Sequence, residues 1–141
     1  MNLYNIFHNI VKKIGVDYVV ETGTSGIWTY RKWKSGIAEC WGKISVSITS
    51  WSAWGAVYEG NPSTYGTYPS GLFIDPPDFW VTPDGTQGQL GLLSVEVFNN
   101  GSKTRTPTFY ALRPSSVGTA TVIFHCRAKG FWKTFVGGGN T

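Results

Sequence analysis

A chain of 141 residues with a formal net charge of +4 is sized for one domain with one hydrophobic core. Charged residues make up only 14% against 16% aromatics, with 18 glycines, a balance that argues against a disordered chain or a helical bundle and for a tightly turned all-β protein. Seven Trp, seven Tyr and eight Phe exceed what a core of this size can cover, so some should line surfaces where a sugar, a partner or a sister subunit docks.

Residues 1–15 differ in kind from the rest. Leu3, Phe7, Ile10 and Ile14 are spaced by four, three and four, which places them on one stripe of a short helix, with Ile6 and Val11 widening it and Gly15 ending it. Such a helix is marginal alone in water and must either pack on its own domain or bundle with copies of itself. Lys12 and Lys13 follow the first apolar residues instead of preceding them, against the order of a signal peptide. No apolar run approaches membrane-spanning length, so membrane insertion is not expected.

From Asp17 onward the chain reads as strand and turn. Tyr30–Trp33 and Ile37–Gly42 form a hairpin about the Gly-containing turn Lys34-Ser35-Gly36, with Ala38, Cys40 and Gly42 on one side of its second strand and Ile37, Glu39 and Trp41 on the other. Ile44, Val46 and Ile48 alternate with polar residues. Segments 59–71 and 83–91 are polar, rich in Gly, Pro, Ser and Tyr, and read as surface loops. Leu93, Val95 and Val97 alternate again; Asn99-Asn100-Gly101-Ser102 turns; Thr108 to Leu112 returns; and Ala120, Val122, Phe124 and Cys126 form the buried face of the most regular strand. About eight strands of 5 to 8 residues with no helices between them predict an antiparallel β-sandwich or small barrel over 16–136, followed by a frayed Gly-rich tail over 137–141.

Candidates for catalysis are few. Cys40 and Cys126, the only cysteines, lie in apolar strand runs and read by default as buried free thiols, with a disulfide between them left open because sequence does not establish adjacent Cα atoms. His8 falls in the helix, and His125 falls on the strand face opposite Phe124 and Cys126, as a surface histidine. Asp75, Asp78 and Asp84 are spread along a Pro-rich connection where Asp most often caps turns. Nothing in the sequence sets Glu21 and Glu39 at the separation that glycoside hydrolysis needs. Nucleophile, phosphate-loop and metal-ligand motifs are absent, so no enzyme, no cofactor and no metal is expected. Beyond Glu96 every charged side chain is basic. These charges are scattered singly along strands, however, which reads as a solvated face and not as a nucleic-acid site.

Binding is better supported. Trp51, Trp54, Tyr58, Tyr65 and Tyr68 lie in or beside one loop-rich segment with Asn61, Ser, Thr and Gly, a mixture that lets aromatic faces stack on sugar rings while short polar groups take hydroxyls. Trp51 and Trp54 also suit strand-end plugs. Tyr65 and Tyr68 read as the exposed pair.

Three segments in one order resemble the C-terminal modules of bacteriophage tail fibres and minor tail proteins from viruses of Gram-positive bacteria. The first is Glu21-Thr22-Gly23-Thr24-Ser25-Gly26-Ile27-Trp28-Thr29-Tyr30-Arg31-Lys32-Trp33 with Gly36-Ile37-Ala38-Glu39-Cys40-Trp41-Gly42. The second runs from Phe73 to Pro83 around the double proline Pro76-Pro77; the third is Leu112-Arg113-Pro114 with Ala128-Lys129-Gly130-Phe131-Trp132-Lys133. The resemblance implies an H-type-lectin-like β-sandwich that assembles as a homotrimer, located in the virion tail. Its helical stub, carrying Leu3, Phe7, Ile10 and Ile14, would drive threefold association. Expected partners are a bacterial cell-surface glycan or other host receptor, and other tail proteins. No sugar contact of the lectins transfers to a matching position. The ligand candidates therefore remain Tyr58, Tyr65, Tyr68, Trp54 and Asn61, taken from composition. The alternative is a purely structural virion domain, in a fibre or as a decoration, making only protein contacts.

Overall fold

The structure is a computed structural model that describes residues 2–13, 15–85 and 94–135. It begins with helix α1 (Leu3–Lys13). Asn2 caps it: the Asn5 amide donates to Asn2 Oδ1 at 2.9 Å. Gly15 follows with φ at +69°, where a side chain would be strained. Of the predicted seam, Leu3 and Phe7 are exposed, so these two do not dock on the chain's own β-domain. Ile14 and the side chain of Ile10 lie outside the described residues, as does the tail over 137–141. The chain is tied on after the helix by Asp17, whose carboxylate accepts the Ser35 amide at 2.9 Å and the Ser35 hydroxyl.

The rest is an antiparallel β-sandwich of nine strands among the described residues. One sheet runs β1 (Val19–Ser25), β2 (Trp28–Trp33), β3 (Ile37–Ile48), β9 (Ala120–Phe131), β6 (Asp78–Gly85). The other runs β4 (Ser50–Trp54), β5 (Val57–Asn61), β8 (Phe109–Arg113), β7 (Ser94–Val97). The spine is β3 paired with β9 without interruption from Ile37↔Phe131 to Ile48↔Ala120. Because side chains alternate across a strand, this register puts Ala38, Cys40, Val122, Phe124, Cys126 and Ala128 on the inner face, all buried. The hairpin turn at Lys34-Ser35-Gly36 is present, with Gly36 at φ +110°.

Two halves of the core are covered differently. Near Ile48 the facing sheet supplies Phe109, whose ring meets Phe124 edge-on at 4.9 Å and Phe79 at 5.8 Å. Near Ala38 and Cys40 the cover is not a strand: Tyr68, Leu72 and Phe73 plug that half from an irregular segment. The Tyr68 ring packs on Trp28 at 5.5 Å and on Phe73 at 5.1 Å.

Several expectations need correction. Tyr68 is not exposed; at 4% it is a core residue, because the small side chains opposite leave room for its ring. The stretch 59–71 is not all loop, since 59–61 belongs to β5, and 83–85 belongs to β6. Asp78 and Asp84 are strand residues of β6, not turn caps. Two strands reach 12 residues, longer than expected. The remainder of the expected 83–91 loop, from 86 on, and Leu93 lie outside the described residues.

Candidate functional site

The β1–β2 turn, Ser25-Gly26-Ile27, folds back over β3. Gly26 takes φ +58°, and Gly42 below it has no side chain to obstruct the Ile27 carbonyl. Directly after the turn Trp28 enters the core, 2% exposed, and its Nε1 donates to the Thr67 carbonyl at 2.6 Å. That bond ties the turn to segment 64–68, which runs beside 104–109. Thr64 and Phe109 exchange backbone hydrogen bonds at 3.0 and 2.9 Å, the Gly66 amide donates to Thr106 Oγ1 at 2.9 Å, and the Tyr68 amide donates to the Thr104 carbonyl at 3.0 Å.

Between turn and segment opens a cleft of about 440 Å³. Trp28, Ile44 and Tyr68 form its floor, and Ser25, Ile27, Tyr65 and Thr67 its rim. Gly66 is obligatory there, since a Cβ would lie 2.9 Å from the Trp28 ring and 3.1 Å from Ile44 Cδ1. Tyr65 is half exposed, and the Arg105 guanidinium sits over its ring at 4.7 Å, fixing its plane. An oriented aromatic face beside the hydroxyls of Ser25 and Thr67 is the arrangement that holds a sugar ring: C–H groups on the aromatic, hydroxyls on short polar groups.

The five residues expected at the site do not come together. Tyr65 and Tyr68 share the cleft, as rim and floor. Trp54, Tyr58 and Asn61 belong to the β4–β5 hairpin and do not line it. Trp54 is exposed beside the turn at Gly55, Tyr58 packs half-buried against the core, and the Asn61 side-chain amide donates to Ser52 Oγ at 2.9 Å. The residues missed were Arg105 and the Ser25–Ile27 turn, which lie forty residues from Tyr65 on either side.

Other titratable groups are structural in setting. Glu21 is bonded by Lys32 at 3.2 Å and Tyr30 at 3.0 Å, which lowers its pKa. Glu39 is held by Arg31 and Arg127. Cys40 and Cys126 are free and buried, and burial pushes both thiols up to about 12. The pair that sequence reading did not find is Glu59 with Glu96. Burial and the neighbouring Glu96 carboxyl raise the Glu59 pKa, and Glu96 Oε2 is buried with no hydrogen-bond partner. Among the described residues no group of three or more His, Cys, Asp or Glu is placed to hold a metal. No described helix is long and apolar enough to cross a membrane.

No family model matches the sequence, and no curated protein matches it. Two solved structures share the fold. One is an N-truncated R1-type pyocin tail fibre, with a TM-score of 0.54 and 11% identity, covering 88% of this chain and 95% of that one. The other is a P. aeruginosa R1 pyocin fibre comprising C-terminal residues 323–701, with a TM-score of 0.55 and 12% identity, covering 88% of this chain. The chain spans 31% of that longer fragment.

Proposed function

We propose that this chain is a receptor-binding module of a phage or phage-like tail fibre, which attaches to a bacterial surface glycan as a homotrimer joined to other tail proteins. The observation that carries the reading is the fold shared with a pyocin tail fibre over nearly the whole of both chains. Two features of the chain support its parts. Leu3 and Phe7 present an apolar helix face with nothing of their own domain upon it, as a stub that bundles with two further copies would. The Tyr65 cleft has the chemistry of a sugar site, one oriented aromatic with hydroxyls around it.

Adsorption to bacterial cells, together with mass in solution, tests the reading. The purified chain is expected to run as a trimer and to decorate host cells. Phe7→Asp should return it to a monomer. Tyr65→Ala should weaken adsorption without loss of fold. A stable monomer refutes the threefold assembly, and adsorption indifferent to Tyr65→Ala refutes the cleft as the receptor site.

A further inference from the structure

A second surface lies outside the Tyr65 cleft, on the outward face of the five-stranded sheet. Trp41 of β3 and Trp80 of β6 both pair with Arg127 of β9, so the two indoles flank it two inter-strand steps apart, about 10 Å. Trp80 is 52% exposed, and among the described residues no ring or cation stacks on it.

The charges beside these rings are unevenly matched. Arg31 lies over Trp41 at 4.9 Å and grips Glu39, Nε at 2.9 Å and Nη2 at 2.6 Å. Arg127 reaches the same carboxylate at 3.3 Å, so two guanidinium groups share one nearly buried anion while the Arg127 side chain stays 60% exposed. In the next row Lys43 is exposed and faces His125 across the sheet. Lys129 is matched by Asp78 in register, and Asp84 sits against His125 at 3.4 Å. With histidine neutral at pH 7, Arg31, Arg127, Lys43 and Lys129 outnumber Glu39, Asp78 and Asp84 by one on this face, and Lys43 is the cation that, among the described residues, no carboxylate opposes in register or bonds. A cleft of about 460 Å³, walled by Ile27, Thr29 and Trp41, reaches Lys43 and His125.

Two indoles held apart by an arginine give no continuous apolar area, and lysine is depleted from the core of a protein interface. Such rings and cations suit a flat, extended ligand with uncharged rings and anionic substituents. We propose that this face is a second carbohydrate-binding surface, and that its ligand is an oligosaccharide bearing carboxylate or phosphate groups. Its rings lie on Trp41 and Trp80, and its negative charge meets Arg127 and Lys43.

The test is an array of acidic and neutral oligosaccharides probed with the full chain at low and high salt, comparing the parent with Trp80→Ala, Lys43→Ala and Tyr65→Ala. Acidic glycans should be retained by the parent and by Tyr65→Ala. Trp80→Ala should bind them about tenfold more weakly, and Lys43→Ala should lose part of the salt dependence. Trp80→Tyr, which keeps a ring, should restore most of the binding. Lys43→Ala should leave the melting temperature unchanged, whereas Trp80→Ala, which removes a half-buried ring, should lower it by a few degrees, so binding is read well below the melt with Trp80→Tyr as the stability-matched comparison. Capture of neutral glycans alone, or of none, overturns the proposal, as does acidic binding that depends on Tyr65 and not on Trp80. A change in oligomeric mass on Trp80→Ala also overturns it, because the face would then be covered by another copy. In each of these cases cell adsorption through Tyr65 can persist, so the fibre reading is judged separately.

Discussion

Gly42→Ala tests how tightly the β1–β2 turn is fixed over the sheet. A Cβ at residue 42 would fall on the Ile27 carbonyl oxygen, closer than real atoms approach, and 3.0 Å from its carbonyl carbon. Backbone atoms yield only if the whole turn moves. The turn is held one residue later by Trp28, buried in the core and bonded to Thr67 at 2.6 Å, so it cannot lift freely. Such overpacking costs about 1–3 kcal/mol. For a domain of this length each kcal/mol lowers Tm by roughly 3–4 °C, so a fall of about 3–12 °C is expected in a thermal melt. Gly118→Ala is the control: its Cβ meets nothing within 4 Å, and it should leave Tm unchanged or slightly raised. Since Ile27 walls the Tyr65 cleft, Gly42→Ala should also weaken whatever the cleft binds. A Gly42→Ala protein that melts within about a degree of the parent would show that the turn floats, and the account of the cleft wall would fail.

Trp28→Phe removes the indole donor to Thr67 and part of the ring volume at a 2% exposed site. It should cost about 2–4 kcal/mol, read by denaturant unfolding, and speed hydrogen exchange at the Tyr68 amide. Cys40 and Cys126, buried with thiols near 12, should resist a thiol reagent in the native chain and both react after unfolding; rapid native labelling contradicts the burial. Glu59 has a folded pKa above its ordinary 4.5, so the folded chain binds the proton more tightly than the unfolded one. Stability should therefore be full at pH below about 4.5 as far as this group is concerned, and fall as pH rises through the folded pKa. Glu59→Gln should flatten that slope and raise Tm at neutral pH by about 2 °C, on the scale of a like-charge pair across strands. An unchanged pH profile would mean that the two carboxyls do not share a proton.

Strands whose inner and outer faces differ were legible in the sequence. In β9 the run Ala120, Val122, Phe124, Cys126 alternates with Thr121, Ile123 and His125, and the first set is buried as alternation requires. The strands read as loops broke local rules for reasons set elsewhere in the fold. Gly60 in β5 looks like a breaker, but a Cβ there would lie 3.0 Å from both Ile48 and the Trp51 ring, so the strand needs the glycine to accept those side chains. Pro83 in β6 looks incompatible with a sheet, yet β6 is the last strand of its sheet, where a missing amide donor is tolerated.

The site was less legible, because its parts meet only in three dimensions. Tyr65 stood out by its polar company, whereas Arg105 carries no local sign that its guanidinium will cover that ring. Tyr68 had similar company to Tyr65 and the opposite fate. What separates them is the surface each faces. Ala38, Cys40, Cys126 and Ala128, with Gly130, form a strip of small side chains along β3 and β9, and a Cβ on Gly130 would come within 3.1 Å of the Phe73 ring. A pair of long strands that stays small for half its length cannot complete a sandwich core with another strand's ordinary side chains. It requires bulky residues delivered by something closer than a second sheet. The strip in 38–42 and 126–130 is thus the imprint of Tyr68, Leu72 and Phe73. Docking these three residues fixes segment 64–68 beside the β1–β2 turn, where Tyr65 is left as the aromatic at the surface.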